Sequence, residues 1–321
     1  MGGIAYHDGA AVAAALDFPA LIDHLRASHR RPAAEIERLL MTQPTEEPED
    51  NGFLILPAWE HGRAMGIKVI TVFPANTRAG AGRPSIQALY LLFDGTDGTP
   101  LAVLDGTELT YWKTAADSAL AADYLARRDA RTLLLVGAGG LAPYVIRGHL
   151  AARPGLQNVL IWNRTAAKAE QLAAQWAGAP RPQPASDLEE AAREADIISC
   201  ATNATEPLIR GDWLRPGCHL DLIGSYTPEM READDAAVRR ARLFVDSRAT
   251  TIEHVGDLTR PIAGGIIGPE DVEADLFDLC GGRHPGRGSE DEVTLFKSGG
   301  GGHLDLMTAQ HVCERILGQS L

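Results

Sequence analysis

The chain has 321 residues, with 30 Lys plus Arg against 43 Asp plus Glu and a net charge of −13. That balance argues against a nucleic-acid partner, and a composition 45% hydrophobic and 23% charged argues against a disordered chain. No apolar run approaches the roughly 18 residues of a membrane span, and the length suggests two domains on a prior of roughly 150 residues each.

The opening MGGIAYHDGAAVAAALDFPAL lacks the basic start and solid apolar core of a secretory signal. Cys200, Cys218, Cys280 and Cys313 form no CxxC pair and no zinc spacing. His149, His254 and His303 are solitary. The expectation is a cytoplasmic protein with reduced thiols and no metal, bound neither to nucleic acid nor to a membrane.

In chain order, residues 11–28 read as helix, and the acidic stretch 46–50 reads as a solvated loop. Strand-like runs follow at 53–59 (FLILPAW), 66–73 (GIKVITVF), 88–93 (ALYLLF) and 100–104. The turn DGTDGTP between the last two predicts a hairpin. Strands in succession without intervening helices predict an antiparallel sheet in an α+β region.

The pattern changes at Thr114. Residues 114–128 are Ala-rich, with Ala116, Leu120 and Tyr124 at helical spacing. Strands at 133–136, 159–162, 197–201, 219–224 and 243–246 then alternate with helices at 142–152, 166–176 and 187–195. Repeated β-α-β predicts an α/β domain, a doubly wound parallel sheet with helices on both faces. From Val293 the chain returns to a strand-like VTLFKS, a glycine run and a last helix over 305–317.

The segment LLLVGAGGLAPYVIRGHL places Gly137, Gly139 and Ala142 in G-x-G-x-x-A spacing after a strand and at the start of a helix, with Gly140 and Leu141 in the same loop. Gly137 permits the tight turn, Gly139 lets the backbone approach a pyrophosphate, and Ala142 keeps the helix close to the sheet. An NAD enzyme commonly has Asp or Glu at the end of the next strand. Here the residues are Asn163, Arg164 and Thr165. A guanidinium with neighbouring polar donors suits a 2′-phosphate, so NADP(H) is the preferred cofactor and NAD(H) the possible one. An Arg exposed at a helix start is the plainer reading.

With these residues in place, the chain resembles the ornithine cyclodeaminase/mu-crystallin family over nearly its whole length. The resemblance is carried by GIKVITVFP, PSIQALYLLFD, PLAVLDG, LTYWKTAADSALAADYLA, VGAGGLA, IWNRT, ATEPLI, FVDS and LFKSGGG. It implies a Rossmann-type domain over 116–289, inserted into a substrate and dimerisation domain made of 1–115 plus 290–321, and a homodimer. By the same resemblance Lys68 is the catalytic lysine. Lys113 stands where relatives carry an arginine that grips the substrate carboxylate; lysine supplies the charge without the bidentate fork. Arg38 is a second carboxylate ligand, or else a surface helix arginine. Gln87 is a polar group near the substrate, and Ser298 approaches the nicotinamide, although the glycines after it also read as a flexible loop.

Cyclodeaminases and alanine dehydrogenases of the family carry an aspartate just after the strand that here reads LDLIG. This chain has Ser225 and Tyr226, and its first carboxylate is Glu229, beyond Pro228. Without that general base, the resemblance implies an NADPH-dependent reductase of a small cyclic imino acid, Δ1-pyrroline-2-carboxylate or Δ1-piperideine-2-carboxylate. Ornithine cyclodeamination with NAD, alanine dehydrogenation, and a non-catalytic binding protein of the mu-crystallin kind are the alternatives. Asp257 in VGDL fits either a family turn or a helix cap.

Overall fold

The computed structural model describes residues 4–46, 50–77 and 83–318. Residues 47–49 of the acidic stretch therefore lie outside the described residues. The chain divides into two compact units, one of residues 1–113 with 301–321 and the other of residues 114–300.

The first unit is built on a seven-stranded sheet. β1 (Tyr6–His7) is followed by α1 (Gly9–Ala15) and α2 (Phe18–Ser28). The single helix expected over 11–28 is thus two. Asp17 caps α2 by accepting from the Ala20 amide at 2.9 Å, and a proline follows in the first turn, which sets a new helix start there. Next come β2 (Glu35–Ile36), β3 (Leu39–Gln43), β4 (Asn51–Glu60), β5 (Ala64–Val72), β6 (Ile86–Asp94) and β7 (Pro100–Asp105). The sheet order is β1-β7-β6-β5-β4-β2, with β3 also on β4. All pairs are antiparallel as expected except β1 on β7.

Register gives this sheet two different faces. Leu56 opposes Lys68, Lys68 opposes Tyr90 and Tyr90 opposes Leu104. Even-numbered residues from β4 to β7 therefore share one face, because side chains alternate along a strand. Ala58, Ala64, Lys68, Tyr90, Leu92, Ala102 and Leu104 on that face are all buried. The odd-numbered face is apolar too, yet Leu39, Met41, Phe53, Trp59 and Leu89 on it are exposed.

α3 (Gly106–Leu125) begins eight residues before the Ala-rich run that announced it, because Asp105 accepts from the Glu108 amide at 2.7 Å and caps a start the composition does not mark. In the second unit β8 (Thr132–Val136), α4 (Ala142–Ala152), β9 (Asn158–Trp162), α5 (Ala166–Gln175), β10 (Gln183–Pro184), α6 (Leu188–Glu194), β11 (Ile197–Cys200) and β12 (His219–Leu222) follow. Then come α7 (Asp235–Arg240), β13 (Arg242–Val245), α8 (Arg248–Thr251), α9 (Gly256–Ala263), β14 (Val272–Asp275), α10 (Leu276–Cys280) and β15 (Thr294–Lys297). The order β10-β9-β8-β11-β12-β15-β13-β14 is parallel throughout. This is the doubly wound sheet expected from the alternation.

The expected boundaries at 115 and 290 need adjustment. β15 lies between β12 and β13 in the second sheet, and all four of its residues are buried there. Its ladder bonds hold residues 290–300 in the second unit, and at the other end the division falls between Lys113 and Thr114, inside α3. Across the middle of this sheet the buried Asp221 carboxylate binds Ser118 Oγ at 2.9 Å, Ser199 Oγ at 2.6 Å and His149 Nε2 at 3.2 Å. Burial alone would raise this carboxyl, but the His149 and Ser199 bonds outweigh it and hold the group below the usual range.

α11 (Gly302–Leu317) returns the chain to the first unit and packs over β4, β5 and β6 beside α2. It starts three residues earlier than its apolar pattern, at Gly302, where a side chain would press on Ala58 Cβ and the Pro57 carbonyl at 3.3 Å. None of the four cysteines forms a disulfide, and all four are buried. Among the described residues no helix is long and apolar enough to cross a membrane.

A glycine is also required within β5. A methyl group at Gly66 would collide with the phenol ring of Tyr90 on the buried face. Gly66→Ala is expected to destabilise the protein by about 1–3 kcal/mol, the cost of overpacking a closed core, measured by chemical denaturation with activity-independent fluorescence.

Candidate active site

Two sets of functional side chains emerge, one in each unit. In the first, β5 places Lys68 at the centre of the buried face, α3 supplies Lys113, and the first turn of α11 supplies Asp305. Lys68 Nζ donates to Asp305 Oδ1 at 3.1 Å, and Lys113 Nζ lies 3.9 Å from the same oxygen. All three side chains are buried, at 4%, 6% and 1% relative exposure. Burial pulls the Lys68 ammonium below the ordinary lysine value; Asp305 opposes that pull and Lys113 adds to it. Tyr90, opposite Lys68 on β6, is held well above the ordinary phenol value by burial and then by the Asp305 charge.

Buried ion pairs of this kind add little net stability over an apolar replacement, whereas losing one partner costs about 3–5 kcal/mol. The cluster is therefore better explained by chemistry than by stability. The Tyr90 hydroxyl and Asp305 Oδ2 are both buried without a hydrogen-bond partner among the described residues. Buried polar atoms in that state mark a place where a polar ligand fits. A depressed lysine beside a second cation suits proton donation to a substrate whose carboxylate that cation neutralises.

Arg38 lies between β2 and β3. Ile36 opposite Ala58 and Leu39 opposite Ile55 bracket it, which sets it across from Leu56 and on the face of Lys68. It is exposed and extended, so the surface-helix alternative is excluded. Gln87 opposes Thr71 on the odd-numbered face and is exposed. Alternation thus separates it from Lys68, and the expectation that it lies near the substrate is corrected. Asp305 and Tyr90 went unread. The available signals were a carboxylate between two leucines at the start of the last helix, and a Tyr in ALYLLF at the parity of Lys68.

The second unit carries the nucleotide loop. Gly137 adopts φ +114°, a region favouring glycine, and its amide donates to the Trp162 carbonyl at 2.8 Å. A side chain there would strike the Ala201 carbonyl, whereas a Cβ on Gly139 would meet nothing within 4 Å. The open space over Gly139 and the exposed Gly140 is the cradle a pyrophosphate needs, and the α4 N-terminus with Leu141 and buried Ala142 adjoins it. The residues present therefore fit a dinucleotide.

Asn163 makes bonds that its sequence position does not announce. Its Oδ1 accepts from the Ala138 amide at 3.1 Å and its Nδ2 donates to the Thr165 carbonyl at 2.9 Å. Both polar ends are engaged in bracing the glycine loop against the end of β9, and one N–H of the amide is left over. Arg164 and Thr165 are exposed, and the Thr165 side chain makes no capping bond to α5.

Ser298 is buried at the end of β15, its amide donating to the Leu222 carbonyl at 3.0 Å. The glycines after it are not simply flexible: the Gly299 and Gly300 amides donate to Asp246 Oδ2 at 3.0 and 2.6 Å. After β12, Ser225 is buried on the Met230 carbonyl, Tyr226 is 60% exposed and Glu229 is exposed. From Ser225 to Pro228, just after β12, the chain carries no carboxylate.

A doubly wound parallel sheet with a dinucleotide loop, joined to a unit bearing a buried acid and cation pair, defines a nicotinamide-nucleotide-dependent oxidoreductase. The ornithine cyclodeaminase/mu-crystallin family model matches residues 10–320, and the chain belongs to that family. It is 44% identical over 298 residues to a Δ1-pyrroline-2-carboxylate reductase of Paracoccus denitrificans, covering 92% of each chain. With a protein of the same name from Colwellia psychrerythraea it shares 36% identity, over 94% of this chain and 96% of that one. Among solved structures it is similar to Thermococcus litoralis Δ1-pyrroline-2-carboxylate reductase in complex with NADH and L-proline. The TM-score is 0.89 and the identity 28%, over 98% of this chain and 97% of that chain.

If Lys68 is the proton donor, activity falls as pH rises through its pKa. Asp305→Asn removes the charge that raises that pKa, so the alkaline limb of the kcat profile is expected to move down by about 1 pH unit or more. Lys113→Met removes a charge that lowers it and is expected to move the limb up. Steady-state pH profiles of both variants test the assignment; shifts of equal sign would sink it.

Proposed function

We propose that this protein reduces a small cyclic imino acid, Δ1-pyrroline-2-carboxylate or its six-membered homologue, to the cyclic amino acid, with NADPH as the preferred reductant. The observation that carries the reading is the buried Lys68–Asp305–Lys113 cluster. The 44%-identical relative named as such a reductase supports the substrate class.

Lys113, with Arg38 on the same face of the sheet, neutralises the substrate carboxylate. Lys68 protonates the ring nitrogen, and Asp305 keeps Lys68 charged until it does so. When bound, the reduced nicotinamide supplies the hydride that the ring carbon next to that nitrogen accepts. A protonated imine is already electrophilic, so most of the acceleration comes from orientation and from fixing the carboxylate. Gly137, Gly139, Gly140, Leu141 and Ala142 hold the pyrophosphate, and Ser298 adjoins the nicotinamide. Arg164 and Thr165 bind the 2′-phosphate, with Asn163 holding their turn in place.

The test is a panel of cyclic imino acids assayed with NADPH and NADH in parallel. Lys68→Met is expected to lower kcat about 10²–10⁴-fold, the usual worth of a positioned acid. Arg164→Ala is expected to raise KM for NADPH about 10-fold or more, as loss of a charge-assisted bond does, and to leave KM for NADH unchanged. Sustained ammonia release from ornithine without added reductant would instead establish cyclodeamination.

The protein also works as a homodimer on this reading. Leu39, Met41, Phe53, Trp59 and Leu89 share the odd-numbered face of the first sheet and are each at least 38% exposed. A contiguous apolar face of that kind marks an association surface. Light scattering is expected to give twice the chain mass for the parent protein and the monomer mass for Leu89→Glu.

A further inference from the structure

Glu232 is fully buried in the second unit, and the mechanism above gives it no task. Its Oε1 accepts from the Thr202 amide at 2.7 Å and from Thr202 Oγ1 at 2.8 Å, and its Oε2 accepts from the Gly224 amide at 2.7 Å. Thr202 belongs to the loop after β11, and Gly224 to the loop after β12. One carboxylate thus joins the loops that follow two neighbouring parallel strands. The Glu232 residue is itself anchored: its amide donates to Asp257 Oδ1 at 2.8 Å, and its carbonyl accepts from the Leu208 and Ile209 amides at 2.9 and 3.0 Å.

These loops abut the nucleotide turn. A side chain on Gly137 would meet the Ala201 carbonyl and Thr202 Cγ2, and one on Gly224 would meet the Thr202 backbone and Glu232 Oε1. β8, β11 and β12 are adjacent in the sheet, and open parallel sheets bind ligands beyond the carboxyl ends of their strands. The dinucleotide turn therefore rests on Thr202, Thr202 rests against Gly224, and Glu232 fastens the last two together.

We propose that Glu232 is a positioning residue for the nucleotide, whose ionised carboxylate holds the wall beside the Gly137 turn and whose protonation loosens that wall and weakens binding. The proposal rests on reading the second unit as a nicotinamide-nucleotide site.

Hydrogen-bond arithmetic supports it. An ionised carboxylate accepts all three donors. A protonated one can still accept from them, but without its charge the three charge-assisted bonds become weaker neutral ones. The titratable groups facing it are the Asp257 carboxylate from α9, the Lys297 ammonium from β15 and the Cys200 thiol from β11. Lys297 lies 3.6 Å from Asp257 Oδ2 and donates to the Leu222 carbonyl at 3.0 Å. Burial pushes the Cys200 thiol well above its usual value, so it stays neutral. Burial, and then the Asp257 charge, push Glu232 up to about 7, against the opposing pull of Lys297 and the Thr202 bonds. The switch accordingly falls near neutral pH.

The experiment is the dissociation constant of NADH, which lacks a titrating 2′-phosphate, followed by fluorescence across the neutral pH range. From about pH 8.5 to about pH 6 the constant is expected to weaken roughly tenfold, the difference between charge-assisted and neutral hydrogen bonds. Glu232→Gln, which keeps the shape without the charge, is expected to bind weakly and independently of pH. Asp257→Asn removes a neighbouring negative charge and is expected to move the midpoint to lower pH, which also tests the idea if Glu232→Gln does not fold. Tight NADH binding that is constant with pH, or a Glu232→Gln protein that keeps the parent profile, overturns the proposal alone. A chain that bound no NADH at any pH would overturn the functional reading and this proposal with it.

Discussion

A carboxylate set between two ammonium groups in a dry interior constrains the whole first unit. Asp305 stands within 4 Å of Lys68 and Lys113, and none of the three charges tolerates burial without the others. One comes from a central strand, one from the helix leaving the sheet, and one from the last helix of the chain. The relative placement of β5, α3 and α11 is therefore fixed by an electrostatic demand as well as by packing. Gly302 makes the approach possible, since the start of α11 lies against Ala58 and Pro57 without room for a side chain.

The second unit follows the same logic with backbone groups. Its glycine turn is shaped from outside by Asn163, which ties the Ala138 amide to the end of β9, and from below by the loop at Ala201 and Thr202. The glycines after β15 are fixed in turn by Asp246. Polar side chains near the glycine loop thus serve to hold backbone, while Arg164 and Thr165 beside them stay exposed.

Much of this was legible in the sequence because hydrophobic periodicity and turn chemistry are local. The bounds of α4 and the succession from β8 to β13 came through almost unchanged, as did the tight turn at Gly137. What was missed depends on partners distant in the chain. Asp305 is 237 positions from Lys68, and no window of sequence relates a carboxylate in a C-terminal helix to a lysine in an N-terminal strand. β15 reads as a return to the first region because its neighbours β12 and β13 are found only by folding. Gln87 was misplaced for a simpler reason: likeness to a motif does not report parity, and an odd number in β6 points away from Tyr90. The bracing bonds of Asn163 went unread because an exposed turn and a braced turn have the same composition.

The parity rule in the first sheet also limits how this unit tolerates change. The buried Lys68 and Tyr90 occupy even positions of β5 and β6, and the exposed Leu89 occupies an odd one. Deleting or inserting a single residue in the turn between β4 and β5 would rotate a strand by half a repeat. The lysine would then face outward and a bulky hydrocarbon inward, so that the buried charge cluster and the core packing would be lost together. Length variation among natural relatives should accordingly accumulate in the connections outside this meander, or arrive in steps of two.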